Sequence, residues 1–155
     1  MRRLSGMLLT GLLVLAPALV QGPTAGYGRV AAQAQKLTFD GDMVLWTVVV
    51  KGDKTADFEG LMGKVKEALL KSDKPERKAQ AAGWKLIKSP KPNAEGNAVY
   101  VQVINVVKDA DYTILAILYE ANTDPAAQKA LYEQYRGALV GAAPGAYSTV
   151  LDLSK

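Results

Sequence analysis

The sequence contains no cysteine and no histidine among its 155 residues. Without cysteine the chain has no disulfide, no thiolate nucleophile and no lipid attachment at a lipobox cysteine. Without histidine it lacks the commonest general base and the commonest ligand for zinc, copper or haem iron. These absences exclude several classes of enzyme, and they predict a protein without a resident metal or other cofactor.

Recognisable catalytic motifs are missing as well. The sequence has no glycine-rich phosphate loop, no paired-carboxylate motif, no serine nucleophile elbow and no metal-ligand spacing. Asp109 and Asp111 form a closely spaced acidic pair, but they precede a predicted helix, and helix capping explains them better than a cation site does. The sequence therefore favours a binding role over catalysis.

The start of the chain has the composition of an export signal. Arg2 and Arg3 precede the apolar run Met7–Val20, and polar residues follow it, which is typical of a secretory signal peptide. The run has 14 residues, whereas a membrane-spanning helix needs about 20. Ala32-Gln33-Ala34 is a small-x-small cleavage site, and Ala16-Pro17-Ala18 is an earlier alternative.

We therefore predict that residues 1–34 form a signal peptide and a disordered leader. Residues 35–155 should form a single domain that is exported to the periplasm or the extracellular space and meets a membrane only through the signal segment. Loss of the leader removes three arginines and no acidic residue, so the formal net charge falls from +4 to +1. A domain with that balance is not a nucleic-acid binder by bulk electrostatics.

The central segment predicts a strand, a turn and a helix. Met43–Lys51 has β-branched and aromatic residues in succession and is apolar on both faces, which is typical of a strand covered on both sides. Lys51–Lys54 is predicted as a turn. Apolar residues then recur at helical spacing from Phe58 to Leu69, which predicts a helix from about Ala56 to Lys71.

Two further strands should follow this helix. The segment after it is a turn or a short helix that Gly83 ends, and Trp84–Lys88 is predicted as a strand. A loop rich in proline, glycine and asparagine then leads to a third strand over Ala98–Val107. The apolar residues 112–120 fit a strand or a helix, and the acidic pair before them favours a short helix.

The C-terminal part predicts one more helix and one more strand. Asp124 and Pro125 are typical of a helix start, and this helix should extend to about Val140. Pro144-Gly145 predicts a turn, and Tyr147–Leu153 alternates well enough to be the final strand.

The resulting order, β-α-β-β-α(α)-β, predicts the α+β class. It corresponds to the ferredoxin-like split βαβ arrangement, an antiparallel sheet with helices on one face. Strands that are apolar on both faces need a second cover, and the simplest cover is another copy of the same sheet, packed face to face. The sequence therefore predicts a homodimer.

Three segments resemble a known superfamily: Gly52–Glu59, Gly83–Ile87 and Asn97–Val101. Their pattern is similar to that of the dimeric α/β-barrel superfamily, and antibiotic-biosynthesis-monooxygenase-like domains are the nearest match. The resemblance covers about residues 42–107 and implies a ferredoxin-like fold. It also implies a role as a cofactor-free oxygenase, a haem-degrading enzyme or a protein of unknown role. Where such families use a catalytic or haem-binding histidine, this sequence has none.

Five strand residues are candidates for the wall of a ligand pocket, and none is assigned a catalytic role. A polar side chain among strand valines is costly when it is buried without a partner, so each marks a possible contact with a ligand. The five are Trp46, Thr47, Tyr100, Gln102 and Asn105. A backbone group or water at the sheet edge could satisfy each of them instead.

Two functions of different classes follow. The leading hypothesis is a non-catalytic exported domain, dimeric, that binds a small hydrophobic ligand or a protein partner through its sheet face. The alternative is a cofactor-free monooxygenase-like enzyme that uses Trp46, Asn105 or a tyrosine. A third hypothesis attaches the lysine-rich segment from Lys64 to Lys91 to an anionic surface, although a solvated helix face and loop explain this segment more simply.

Overall fold

A four-stranded antiparallel sheet organises residues 36–153, the part of the chain that the computed structural model describes. The strands are β1 (Met43–Val50), β2 (Trp84–Lys88), β3 (Ala98–Asn105) and β4 (Leu139–Tyr147), and their order in the sheet is β2-β3-β1-β4. This is the ferredoxin-like arrangement, so the predicted fold class is confirmed. The predicted signal peptide and leader lie outside the described residues.

Four α-helices connect the strands. They are α1 (Thr55–Lys71), α2 (Pro75–Gly83), α3 (Ile114–Ala121) and α4 (Pro125–Ala138), and a 3-10 turn at Gly52–Lys54 precedes α1. The helix prediction for the ambiguous residues 112–120 is confirmed by α3. Within residues 36–153, no helix is long and apolar enough to cross a membrane.

The two faces of the sheet differ because side chains alternate along each strand. In β1, Val44, Trp46, Val48 and Val50 are buried, whereas Leu45 and Thr47 are exposed. The buried set packs with the apolar side of α1, which contributes Phe58, Leu61, Met62, Val65 and Leu69 at helical spacing. The helices therefore cover one face of β1 and β3, and the main core lies between these strands and the helices.

The last strand differs from its prediction. Residues 139–147 form β4, α4 ends at Ala138, two residues before the approximate end predicted for it, and residues 148–153 are not part of a strand. Prediction of a strand over Tyr147–Leu153 and of a turn at Pro144 is therefore wrong. The reason is the composition of β4, whose glycines, alanines and proline have low strand propensity. Pro144 is tolerated because β4 is an edge strand, where a missing N–H removes no bond from the sheet interior.

The third strand is also slightly shorter than predicted. β3 ends at Asn105, so Val106 and Val107 lie outside the sheet. At the start of α4 the structure agrees with the prediction, because the Asp124 side chain accepts a hydrogen bond from Ala127 N at 2.9 Å and Pro125 follows it.

Candidate functional site

The five predicted ligand-binding residues lie on two different faces of the sheet. Trp46, Tyr100 and Gln102 are buried on the side covered by helices, with exposed fractions of 6%, 1% and 0%. Thr47 and Asn105 are exposed on the opposite side. The structure therefore does not bring the five into one pocket within a single copy, and their binding role stays a prediction.

We call the side of the sheet that faces away from the helices the open face. Cross-strand pairs define it: Leu45 lies opposite Val103, and Val101 lies between Thr47 and Ile87. No described helix covers this face, and its side chains are exposed or half-buried. Its members are Met43, Leu45, Thr47, Val49, Lys85, Ile87, Val99, Val101, Val103, Asn105, Gly141, Ala143, Gly145 and Tyr147. Lys85 is the charged member, and it lies on the edge strand β2.

On the helix side, two neighbouring strand residues each carry a buried N–H donor. Trp46 and Gln102 are directly opposite each other in the β1–β3 register. Trp46 Nε1 and Gln102 Nε2 have no hydrogen-bond acceptor among the described residues, while Gln102 Oε1 accepts a bond from Trp84 Nε1 at 2.9 Å. Because buried donors are almost always paired in native proteins, these two require an explanation.

Aromatic rings surround these donors. The Phe39 ring lies edge-on to Trp46 at a centroid distance of 6.1 Å and 5.2 Å from the Tyr112 ring, and Trp84 lies 5.5 Å from Tyr112. Burial raises the pKa of Tyr112, and its hydroxyl accepts a hydrogen bond from Val107 N at 2.8 Å. We call Trp46, Trp84, Gln102 and Tyr112 the aromatic cluster.

A short N-terminal segment, residues 36–40, covers the aromatic cluster, and we call it the strap. Leu37 and Phe39 are half-buried, whereas their neighbours in the strap are exposed. Leu37 N donates to Asp111 Oδ1 at 3.0 Å and to Thr113 Oγ1 at 3.1 Å, and Leu37 O accepts from Tyr112 N at 2.7 Å. Although burial opposes it, hydrogen bonds from Thr113 and Leu37 lower the pKa of Asp111. Asp111 thus fastens the strap.

A second polar cluster joins α1 to the sheet. Tyr100 Oη donates to Glu59 Oε1 at 2.6 Å, and Lys88 Nζ donates to the same oxygen at 2.9 Å. The bonds from Tyr100 and Lys88 lower the pKa of Glu59, whereas burial and the bond to Glu59 raise the pKa of Tyr100. Glu59 therefore stays ionised and Tyr100 stays protonated at neutral pH. Such a set holds a helix in place and offers neither a free base nor a nucleophile.

A third polar cluster centres on Arg77, which is 4% exposed. Its guanidinium donates to Glu120 Oε1 at 2.6 Å, to Gln80 Oε1 at 2.9 Å and to Asp111 O at 2.5 Å. The bond from Arg77 lowers the pKa of Glu120. Sequence reasoning missed this cluster. Its signal would have been the spacing of Arg77 and Gln80, which lie three residues apart and so share one face of α2.

A half-open groove of about 860 Å³ lies among the four helices. Ala68, Ile117, Leu118 and Leu131 supply apolar surface, and Arg77 and Glu120 lie at its wall. Lysines and acids alternate around it, and most of them pair with each other. Among residues 36–153 no group of three or more acidic side chains is placed to hold a metal ion.

No protein-family model matches the chain, and no curated protein or solved structure matches it significantly. What the described residues show is an α+β domain whose strand order is compatible with a ferredoxin-like fold. Membership of the dimeric α/β-barrel superfamily stays a prediction. Similarity to antibiotic-biosynthesis-monooxygenase-like domains stays a prediction.

Proposed function

We propose that the protein is an exported, non-catalytic binding domain that acts as a homodimer, with the open faces of two copies packed together, and that it binds a small hydrophobic ligand. The observation that carries this proposal is the apolar open face. Valines and leucine at the centre of a sheet are normally covered, because each buried aliphatic side chain stabilises the folded state by about 1.5–3 kcal/mol.

The size of the open face is sufficient for a weak or moderate dimer. Eight residues of β1 at about 3.4 Å each give a length of about 27 Å, and four strands spaced by about 4.8 Å give a width of about 19 Å. Two such faces would bury about 1,000 Å² in total, which is close to the lower limit for a specific interface.

The chemistry of the open face also suits a second copy. The centre of the face carries Leu45, Val101 and Val103, and its polar members Thr47 and Asn105 are uncharged. Lys85 lies at the edge, where it would stay in contact with water. Two copies would therefore meet through apolar surface without burying a charge, which is the costly event at an interface.

A cofactor-free monooxygenase-like enzyme is the alternative function. Its support is the pair of unpaired donors on Trp46 and Gln102, because a buried donor is suited to stabilise negative charge that develops on a substrate oxygen. Trp46 and Asn105 lie on opposite faces of the sheet, so a site of this kind would use Trp46 without Asn105. Asn105→Ala with full turnover, in an assay that detects oxygen consumption, would be consistent with it.

The dimer is tested by placing a charge on each side of the molecule in turn. Thr47 is exposed in the single copy, so Thr47→Lys should leave the fold intact and bury a charge only if the open face is an interface. We expect dimer affinity to fall at least about 100-fold, because an unpaired buried charge costs several kcal/mol. Leu70→Lys is the matched control, since Leu70 is an exposed apolar residue of α1. Equal dimerisation of both variants would contradict the proposal.

A further inference from the structure

We propose that the aromatic cluster binds a small, planar, uncharged molecule that carries a carbonyl oxygen on an aromatic ring, and that the strap closes over it. This inference rests on the proposed ligand-binding role and is independent of the dimer. It names the chemical class of the ligand and places its site on the helix side of the sheet.

The two unpaired donors define the polar part of the ligand. Trp46 is 6% exposed and Gln102 is 0% exposed, so neither Nε1 nor Nε2 is supplied with acceptors by bulk water. Their residues are direct cross-strand partners, and side chains of such partners lie about 5 Å apart at their Cβ atoms. Both groups only donate, so the complementary group is an oxygen with lone pairs and no hydrogen of its own.

The ligand should be neutral. Arg77 is the one buried cation within residues 36–153, and its guanidinium is already bonded to Glu120, Gln80 and Asp111 O. A carboxylate at the aromatic cluster would therefore be buried without a countercharge, which is strongly unfavourable. A ketone, amide or aldehyde oxygen needs no countercharge and accepts two hydrogen bonds.

Aromatic surroundings favour a planar ligand. The rings of Trp46, Trp84 and Tyr112 present flat surfaces and edges to the same region, and aromatic partners gain about 0.5–1.5 kcal/mol beyond simple burial. Phe39 already occupies part of this region with a phenyl ring. A ligand of similar size could replace that ring without rearranging the sheet.

The strap supplies the route of entry. It belongs to no helix or strand, and the Phe39 side chain is half-buried. Its connection to the loop at Asp111–Thr113 consists of three hydrogen bonds through Leu37. Segments with few buried contacts open at low free-energy cost, so the strap can lift and expose the aromatic cluster while the sheet stays intact.

Acetophenone and ethylbenzene are a matched pair of probes, because they share a ring and differ in the carbonyl oxygen. Binding is measured on the full chain by calorimetry, and the two indole N–H signals are followed by NMR. We expect acetophenone to bind at least about tenfold more tightly, since one probe pairs the buried donors and the other does not. The Trp46 indole N–H signal should shift in proportion to the fraction of protein that has bound acetophenone. Equal affinity for both probes, or no binding of either, would overturn the inference.

Two tryptophan variants locate the recognition. Trp46→Phe keeps an aromatic ring and removes the unpaired donor, so the preference for acetophenone should disappear. Trp84→Phe is the control, because the Trp84 N–H is already bonded to Gln102 Oε1, and the preference should persist. Retention of the preference in Trp46→Phe would show that Trp46 Nε1 does not contact the oxygen.

Two further variants test the role of the strap and the role of the dimer separately. Phe39→Ala removes the ring that competes with the ligand and should strengthen acetophenone binding several-fold; weaker binding would contradict the role given to the strap. Leu45→Lys places a charge on the exposed centre of the open face, so it should disrupt the proposed interface and leave acetophenone binding unchanged. Loss of binding in Leu45→Lys would place the ligand at the interface and overturn this inference, whereas binding by a monomeric wild-type protein would contradict the dimer alone.

Discussion

Trp46 and Gln102 face each other across β1 and β3, and each ends in a buried N–H group without an acceptor among the described residues. An unpaired buried donor costs about 1–3 kcal/mol. An apolar pair at these two positions would avoid that cost. The polar pair is therefore the most distinctive feature of the helix side of the sheet, and the apolar open face is the most distinctive feature of the other side.

Gln102→Leu should change the free energy of unfolding by less than about 1 kcal/mol. The substitution removes one unpaired donor, Gln102 Nε2, but leaves Trp84 Nε1 without its acceptor, so the two effects of about 1–3 kcal/mol oppose each other. Denaturant unfolding measures the difference. A loss above about 3 kcal/mol would mean that Gln102 makes a strong further bond in the unliganded protein.

Glu120→Gln should destabilise the protein by about 1–2 kcal/mol at neutral pH. Arg77 stays buried when its carboxylate partner is lost, and the effect is moderated because the Glu120 side chain is 39% exposed. Lys74→Ala is the control, because Lys74 contacts the same carboxylate from an exposed position. It should have an effect below about 0.5 kcal/mol. An equal loss in both variants would argue against a special role for Arg77.

The same carboxyl predicts the acid dependence of stability. The Arg77 hydrogen bond lowers the pKa of Glu120 in the folded state below its ordinary value of 4.5. Its contribution is therefore present above that value and is lost as the pH falls through the lowered pKa. Unfolding curves of the wild type and of Glu120→Gln should converge in acid. A constant difference between pH 7 and strongly acidic solution would contradict this assignment.

Tyr100→Phe should cost about 1 kcal/mol at neutral pH. The ring stays packed against Phe58 at 5.0 Å, and the hydrogen bond to Glu59 is lost. Because the pKa of Tyr100 is raised above 10.0 in the folded state, this contribution is complete below pH 10.0 and is lost as the pH rises through the raised value. Unfolding measured across alkaline pH checks this, with the exposed Tyr132→Phe as the control. Equal losses in the two variants would exclude the bond as the cause.

Gly60→Ala should stabilise the protein by about 1 kcal/mol. Gly60 lies within α1, and a Cβ atom there would meet no atom within 4 Å, so the substitution gains helix propensity without a clash. Gly52→Ala should destabilise, because its Cβ would lie 2.8 Å from the carbonyl oxygen of Gly96. Thermal unfolding of both variants gives the comparison. A destabilised Gly60→Ala would mean that another surface covers this side of α1.

Strong local patterns made most of the fold predictable. The succession of valines in β1 and the apolar spacing from Phe58 to Leu69 specify a strand and a helix with little ambiguity. β4 escaped prediction because neighbouring strand β1, and not its own alanines and glycines, holds it in the sheet. Its pairing is a tertiary effect that a local pattern does not contain.

The candidate site was less predictable for a different reason. Trp46 and Thr47 are consecutive strand residues and must point to opposite faces, so assigning both to one pocket of a single copy conflicted with strand geometry. Glu120 lies 43 residues from Arg77, and Leu37 lies 74 residues from Asp111. Contacts at such separations arise from the packing of whole elements, and a single sequence does not reveal them.

Sedimentation velocity of the purified protein over a range of micromolar concentrations tests the homodimer most directly. The chain mass measured on the same sample by mass spectrometry provides the reference for one copy. We predict a species of twice that mass, which Thr47→Lys converts to a single copy and Leu70→Lys does not. A wild-type protein that sediments as one copy at every concentration would contradict the central claim.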